Sequence, residues 1–148
     1  MEGFGDMGEE VRLFSDRLVD EIDSLIRSCR GVFGYISKAA ICKSLGEQEL
    51  FLFYRDGHVA GFIRFHHRRD GQTTVYEIAV LESYRGVGIG RWLLSKLLVD
   101  CEARGQHKIV AKCPADLPSN DWWRWMGFTC VGTIEGKRDI NIWEKKLT

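Results

Sequence analysis

Apolar residues recur at three- and four-residue steps over residues 9–30. Val11, Phe14, Leu18, Ile22, Leu25 and Cys29 form one stripe, and Asp16, Arg17, Asp20, Glu21 and Asp23 fill the other face. That spacing predicts an amphipathic helix, stopped by Gly31. Residues 1–8, which carry Gly3, Gly5 and Gly8, are expected to be disordered. Val32, Phe33, Tyr35 and Ile36 read equally as a short strand or a buried loop. Ser37 is placed to cap a second, short helix running to about Leu45, with Gly46 as its stop. The period then shortens. Residues 50–54 and 58–66 read as strands joined by Arg55-Asp56-Gly57, a strong hairpin signal. Arg68-Arg69-Asp70-Gly71 turns the chain into a third strand over residues 73–81. Helical spacing returns with Ile89, Trp92, Leu93, Lys96, Leu97 and Asp100. Residues 108–113 then give a fourth strand, parallel to the third through a right-handed crossover. A short helix near residues 118–126 stops at Gly127, and residues 128–134 and 140–146 close the chain as a hairpin. This order predicts a mixed α/β fold in a single domain, residues 1–148, with helices flanking a mostly antiparallel sheet.

The third strand and the helix after it are joined by Arg85-Gly86-Val87-Gly88-Ile89-Gly90-Arg91. Alternating glycines at such a junction let the backbone approach a ligand and aim successive N–H groups at one spot. The first turn of the helix adds unpaired donors and a partial positive charge, so an anion, and specifically a diphosphate, suits the site. A P-loop would need Gly-Lys-Ser/Thr, but Gly90 is followed by Arg91-Trp92; a Rossmann turn spaces its glycines G-x-G-x-x-G. Arg85-x-x-Gly88-x-Gly90 after a strand instead resembles the acyl-CoA signature of the GNAT superfamily of N-acetyltransferases. The element order resembles that fold over nearly the whole chain. It departs at the front, where the family's opening strand is missing or displaced to residues 32–36.

The resemblance implies a parallel strand pair that splays to admit pantetheine. The backbone of Ile78, Ala79 and Val80 would hold the pantetheine and thioester, and backbone N–H groups through Arg85, Gly86, Val87, Gly88, Ile89, Gly90 and Arg91 would hold the diphosphate. The Arg85 side chain either adds charge there or is a solvated turn residue. A second family mark, a helix ending F-Y-x-x-x-G-F, reads here Trp122-Trp123-Arg124-Trp125-Met126-Gly127-Phe128. Trp123 stands where the family often has the tyrosine that protonates the leaving thiolate, and an indole supplies no such acid. A thiol of pKa about 8.5 leaves as thiolate or takes a proton from water. Trp123 is then a packing residue of the core or cofactor wall, and Asn120 either caps this helix or reaches the pantetheine.

The implied reaction moves an acetyl group from acetyl-CoA to a primary amine of a small molecule or peptide, by direct attack in a ternary complex. An alkylammonium, with pKa about 10.4, must first lose a proton. Glu77, on the strand that carries Ile78–Val80, is the candidate base; its competing role is an ion pair with Arg64 or Arg68. His66 and His67 are further candidates, and Lys112 stands where some family members place a carboxylate. The alternative function is a non-catalytic acyl-CoA-binding or regulatory domain.

Charge narrows the partners. The 148 residues carry 21 basic and 21 acidic side chains, so no global field attracts nucleic acid or an anionic membrane. His66-His67-Arg68-Arg69 is too short a basic stripe to change that. No apolar run approaches the roughly 20 residues needed to cross a bilayer, and the acidic start lacks a signal-peptide layout. Five cysteines, odd in number and without a C-x-x-C pair, point to reduced thiols in a cytoplasmic protein and to no metal site. The family often forms homodimers, which makes a second copy of the chain a partner to consider.

Overall fold

The computed structural model describes residues 4–29 and 31–147, with side chains from Asp16 onward. Its elements run α1 (Phe4–Ser28), α2 (Lys38–Gly46), β1 (Leu50–Arg55), β2 (His58–His67), β3 (Gln72–Val80), α3 (Ile89–Ala103), β4 (Lys108–Pro114), α4 (Ser119–Trp125), β5 (Thr129–Ile134) and β6 (Ile140–Lys146). The strands form one sheet in the order β1-β2-β3-β4-β6-β5, antiparallel except for the β3–β4 pair. This is the mixed α/β architecture that the hydrophobic pattern predicts.

Local chemistry accounts for most boundaries. The Ser37 hydroxyl accepts from the Ala40 N–H and caps α2. Asp56 and Gly57 both have positive φ, 54° and 78°, as a two-residue hairpin with matching strand twist requires. Helix α1 begins at Phe4, ahead of the expected residue 9; glycines at 5 and 8 are tolerated in a helix at a cost of about 1 kcal/mol each. Residues 1–3 of the stretch expected to be disordered lie outside the described residues, as do Arg30 and the side chains of Val11 and Phe14. Residues 32–36 form a loop: Val32, Phe33 and Ile36 pack on the core while Tyr35 is exposed. Among the described residues no strand precedes β1.

Two cores lie on opposite faces of the sheet. On one, α3 packs over β1–β3 and α4 over β4 and β5, burying Ile63, Phe65, Leu93, Leu97, Ile109 and Trp143. On the other, α1 and α2 cover β2 and β3 through Ile22, Leu25, Ile41, Phe62 and Ala79. A bulge in β3 decides which residues face which core. Arg64 pairs with Glu77 but Phe65 pairs with Val75, so Tyr76 is the extra residue. Val75 therefore faces α3, whereas Glu77 and Ala79, still at two-residue spacing, face α1 and α2.

Where α2 enters β1, Glu49 accepts from the His67 N–H at 2.7 Å and lies 2.9 Å from His66 Nδ1. Burial pushes this carboxyl up, but the bonds from His66 and the His67 N–H, with the His66 charge, outweigh it. The net position is below the ordinary 4.5. A group depressed in the folded state contributes stability above its unfolded pKa and loses it as pH falls through the folded value. Acid melts should therefore show Tm declining below about pH 4.5, and Glu49→Gln should flatten that decline. An unchanged slope in the variant would dismiss the linkage.

Candidate active site

The site is built where β3 and β4 part. Their parallel pairing covers only Gln72–Val75 against Lys108–Ala111. Beyond it, residues 77–80 stay with β2, and residues 112–114 stay with β6. Two strands held apart by their outer neighbours leave a slot between their carboxyl ends. Ile78 and Val80, half-buried, border the α3-side core there, and Ala79 is buried on the opposite face.

The glycine turn stands at the top of this slot. Among the described residues, none of the backbone N–H groups of residues 86–91 meets a protein acceptor; intrahelical bonding begins with the Trp92 N–H on the Gly88 carbonyl at 3.0 Å. Gly88 is the residue before α3, with φ of 91° and no capping side chain. A Cβ there would enter open space. Six consecutive unengaged donors at the N-terminus of a four-turn helix, with room in front of them, fit a diphosphate on both charge and shape. Beside them, Arg91, Leu94 and Ser95 of α3 face Trp125 and Met126 across a groove of about 460 Å³. The Ile89 side chain is buried and Val87 is exposed, so both contribute to the turn through their backbone.

Several expected side chains do other work. Arg85 folds back: its Nε donates to the Val80 carbonyl at 2.9 Å and its Nη2 lies 3.9 Å from Cys29 Sγ. Its guanidinium is thus engaged within the protein. Asn120 is buried and neither caps α4, where Pro118 holds the N-cap position, nor has polar atoms to spare. It donates to the Pro114 and Leu117 carbonyls and accepts from Asn141 and the Trp143 indole, tying α4 to β4 and β6. Trp123 is core, stacked edge-on between Trp122 and Phe128. The tryptophan against the turn is Trp122: a Cβ on Gly90 would come within 3.3 Å of its ring. Gly90 therefore serves close helix–helix packing, a role hidden in the sequence because Trp122 is 32 positions away.

Glu77 is buried in a bidentate fork with Arg64, Nε–Oε1 2.6 Å and Nη2–Oε2 2.9 Å. Arg64 also donates to Ser44 of α2 and lies over the Tyr76 ring. The cross-strand ion pair open in the sequence is thus made, and with Arg64, not Arg68, which pairs with Asp70. His67 sits between Thr73 and Asp100 and His66 beside Glu49, so neither faces the slot. Glu47, Glu49 and His66 bring ligand-type atoms within 4.8 Å of one another, but Glu49 and His66 already bond to each other. All five cysteines are free. Burial pushes the Cys113 thiol up despite its bond with Ser119, so it stays protonated at the end of β4 and is a poor nucleophile.

The profile described as the acetyltransferase (GNAT) family matches residues 20–128. Solved structures share the fold. An N-acetyltransferase from Staphylococcus aureus Mu50 superimposes with a TM-score of 0.75 at 23% identity, over 90% of this chain and 94% of that one. Ard1 from Thermoplasma volcanium gives 0.76 at 17%, over 88% and 93%. The ribosomal-protein-S18-alanine N-acetyltransferase from Escherichia coli gives 0.74 at 20%, over 86% of each. Among curated proteins no sequence matches the chain. No helix among the described residues is long and apolar enough to cross a membrane. The glycine turn, the parted parallel strands and the family match over most of its length together establish that this chain belongs to the GNAT acetyltransferase family.

Proposed function

We propose that the chain transfers an acetyl group from acetyl-CoA to a primary amine, by direct attack with both substrates bound. The observation that carries this reading is the run of unengaged N–H groups at residues 86–91, placed at the open end of the slot between β3 and β4. The diphosphate lies on those donors, the nucleotide end takes the groove between α3 and α4, and the pantetheine follows the β3 backbone at Ile78, Ala79 and Val80. Acetyl-CoA supplies an activated thioester. The backbone N–H of Val80, which the register turns away from β2, meets the charge that develops on the acyl oxygen. Glu77 receives the amine proton through water, since each carboxylate oxygen keeps a lone pair beyond the one Arg64 occupies. No protein acid is assigned to the leaving thiolate, because Trp123 is packed into the core.

The test is release of free CoA thiol from acetyl-CoA across a panel of small amines and peptides. Turnover on at least one acceptor is expected. The buried Trp123, in place of a hydroxyl acid, favours a second reading, an acyl-CoA-binding domain without catalysis. Calorimetric binding of acetyl-CoA with no turnover on any acceptor would select it.

A further inference from the structure

A nearly continuous circuit of contacts runs around the mouth of the slot. From the β3 side, the Val80 carbonyl holds Arg85, and the same guanidinium reaches Cys29 at the end of α1. From the β4 side, the Ala115 N–H donates to the Asp139 carbonyl at 2.8 Å, fastening the β4–α4 loop to the β5–β6 loop. One side chain joins these two arcs. Arg138, in the β5–β6 loop, donates from Nη1 to the Gly31 carbonyl beyond α1. It also places Nε and Nη2 at 3.0 and 2.9 Å from Asp116 Oδ1. Arg138 thus links the residue beyond α1 to the β4–α4 loop and joins the two arcs into a ring of contacts.

We propose that Arg138 is a latch that closes the acceptor mouth, and that the acceptor is consequently a compact, free-standing primary amine and not a side chain of a folded protein. This rests on the acetyl-transfer reading above. A compact amine enters within the ring, whereas an extended polypeptide must displace Arg138 from Asp116 and Gly31. The pair is partly exposed, 40% and 65% for the two side chains. An ion pair of that exposure and one charge-assisted hydrogen bond bias opening by about tenfold, so the latch discriminates without sealing the site.

Arg138→Ala and Asp116→Asn release the latch from its two ends. The first readout needs no turnover: alkylation of each cysteine by iodoacetamide, followed by peptide mass mapping. Cys29 is buried against the Arg85 guanidinium of the ring, whereas Cys101 is buried in the opposite core. Both variants should raise the Cys29 rate about tenfold and leave Cys101 unchanged, and Arg138→Lys should fall between. The second readout is kcat/KM for an octapeptide relative to that for ethanolamine, which should rise by a similar factor through the peptide's KM. An unchanged Cys29 rate, an equal rise at Cys101, or an unchanged acceptor ratio overturns the latch. Failure of wild-type protein to bind acetyl-CoA overturns the acetyl-transfer reading instead, and the acceptor assignment with it, whatever Cys29 does.

Discussion

Gly88→Glu is expected to weaken acetyl-CoA binding at least about a hundredfold by calorimetry, a loss of about 2.7 kcal/mol or more. Two costs combine. Gly88 has φ of 91°, a conformation that disfavours any side chain by about 1–2 kcal/mol, so the backbone cradle would be pulled out of shape. The new carboxylate would also stand in the open space before the six unengaged N–H groups and repel the diphosphate there. Because that space is empty of protein atoms, the variant should still fold, with a modest decrease in Tm. Gly90→Glu is not an equivalent test, since its side chain would strike Trp122 and disturb the packing of α3 on α4. Wild-type affinity in a folded Gly88→Glu protein would refute the placement of the cofactor.

Glu77→Gln should reduce both stability and turnover, and a second substitution separates the two. The change leaves the Arg64 guanidinium, whose side chain is 12% exposed, without its charge partner. Removing one member of a buried pair costs about 3 kcal/mol, or roughly 6–12 °C in Tm for a chain of this size. Ser44 and the Tyr76 ring remain as partial partners for Arg64 and hold the loss toward the lower end. Replacing both members, Arg64→Met with Glu77→Leu, should restore most of the stability, because two apolar groups of similar volume need no counter-charge. Turnover should fall about a hundredfold in the single variant and stay low in the double, with acetyl-CoA affinity within about twofold of wild type in both. If turnover returns with stability in the double variant, Glu77 pins the strand and accepts no proton.

The second prediction depends on what lies across the sheet from a residue, and there the sequence is least informative. The Asp56-Gly57 hairpin, the Ser37 cap and the helical stripe through Leu18, Ile22 and Leu25 were legible because turn chemistry and periodicity act within a few residues. The bulge at Tyr76 was not: simple alternation would put Val75, Glu77 and Ala79 on one face. The bulge turns Glu77 and Ala79 toward α1 and α2 and delivers Glu77 to Arg64. Asn120 illustrates the same limit. Its position at the start of a helix suggests a cap or a ligand contact, yet Pro114, Asn141 and Trp143 converge on it from two strands.

By itself the sequence determined the order of the elements and the place of the strand-to-helix glycine turn. Both follow from backbone freedom or periodicity within one short stretch. The tertiary structure alone decided that β3 and β4 separate after Val75 and Ala111, that Trp122 and not Trp123 abuts the turn, and that Arg138 meets Gly31 across 107 positions. These are contacts between segments distant along the chain, made only when the whole sheet places its strands, and no local pattern encodes them.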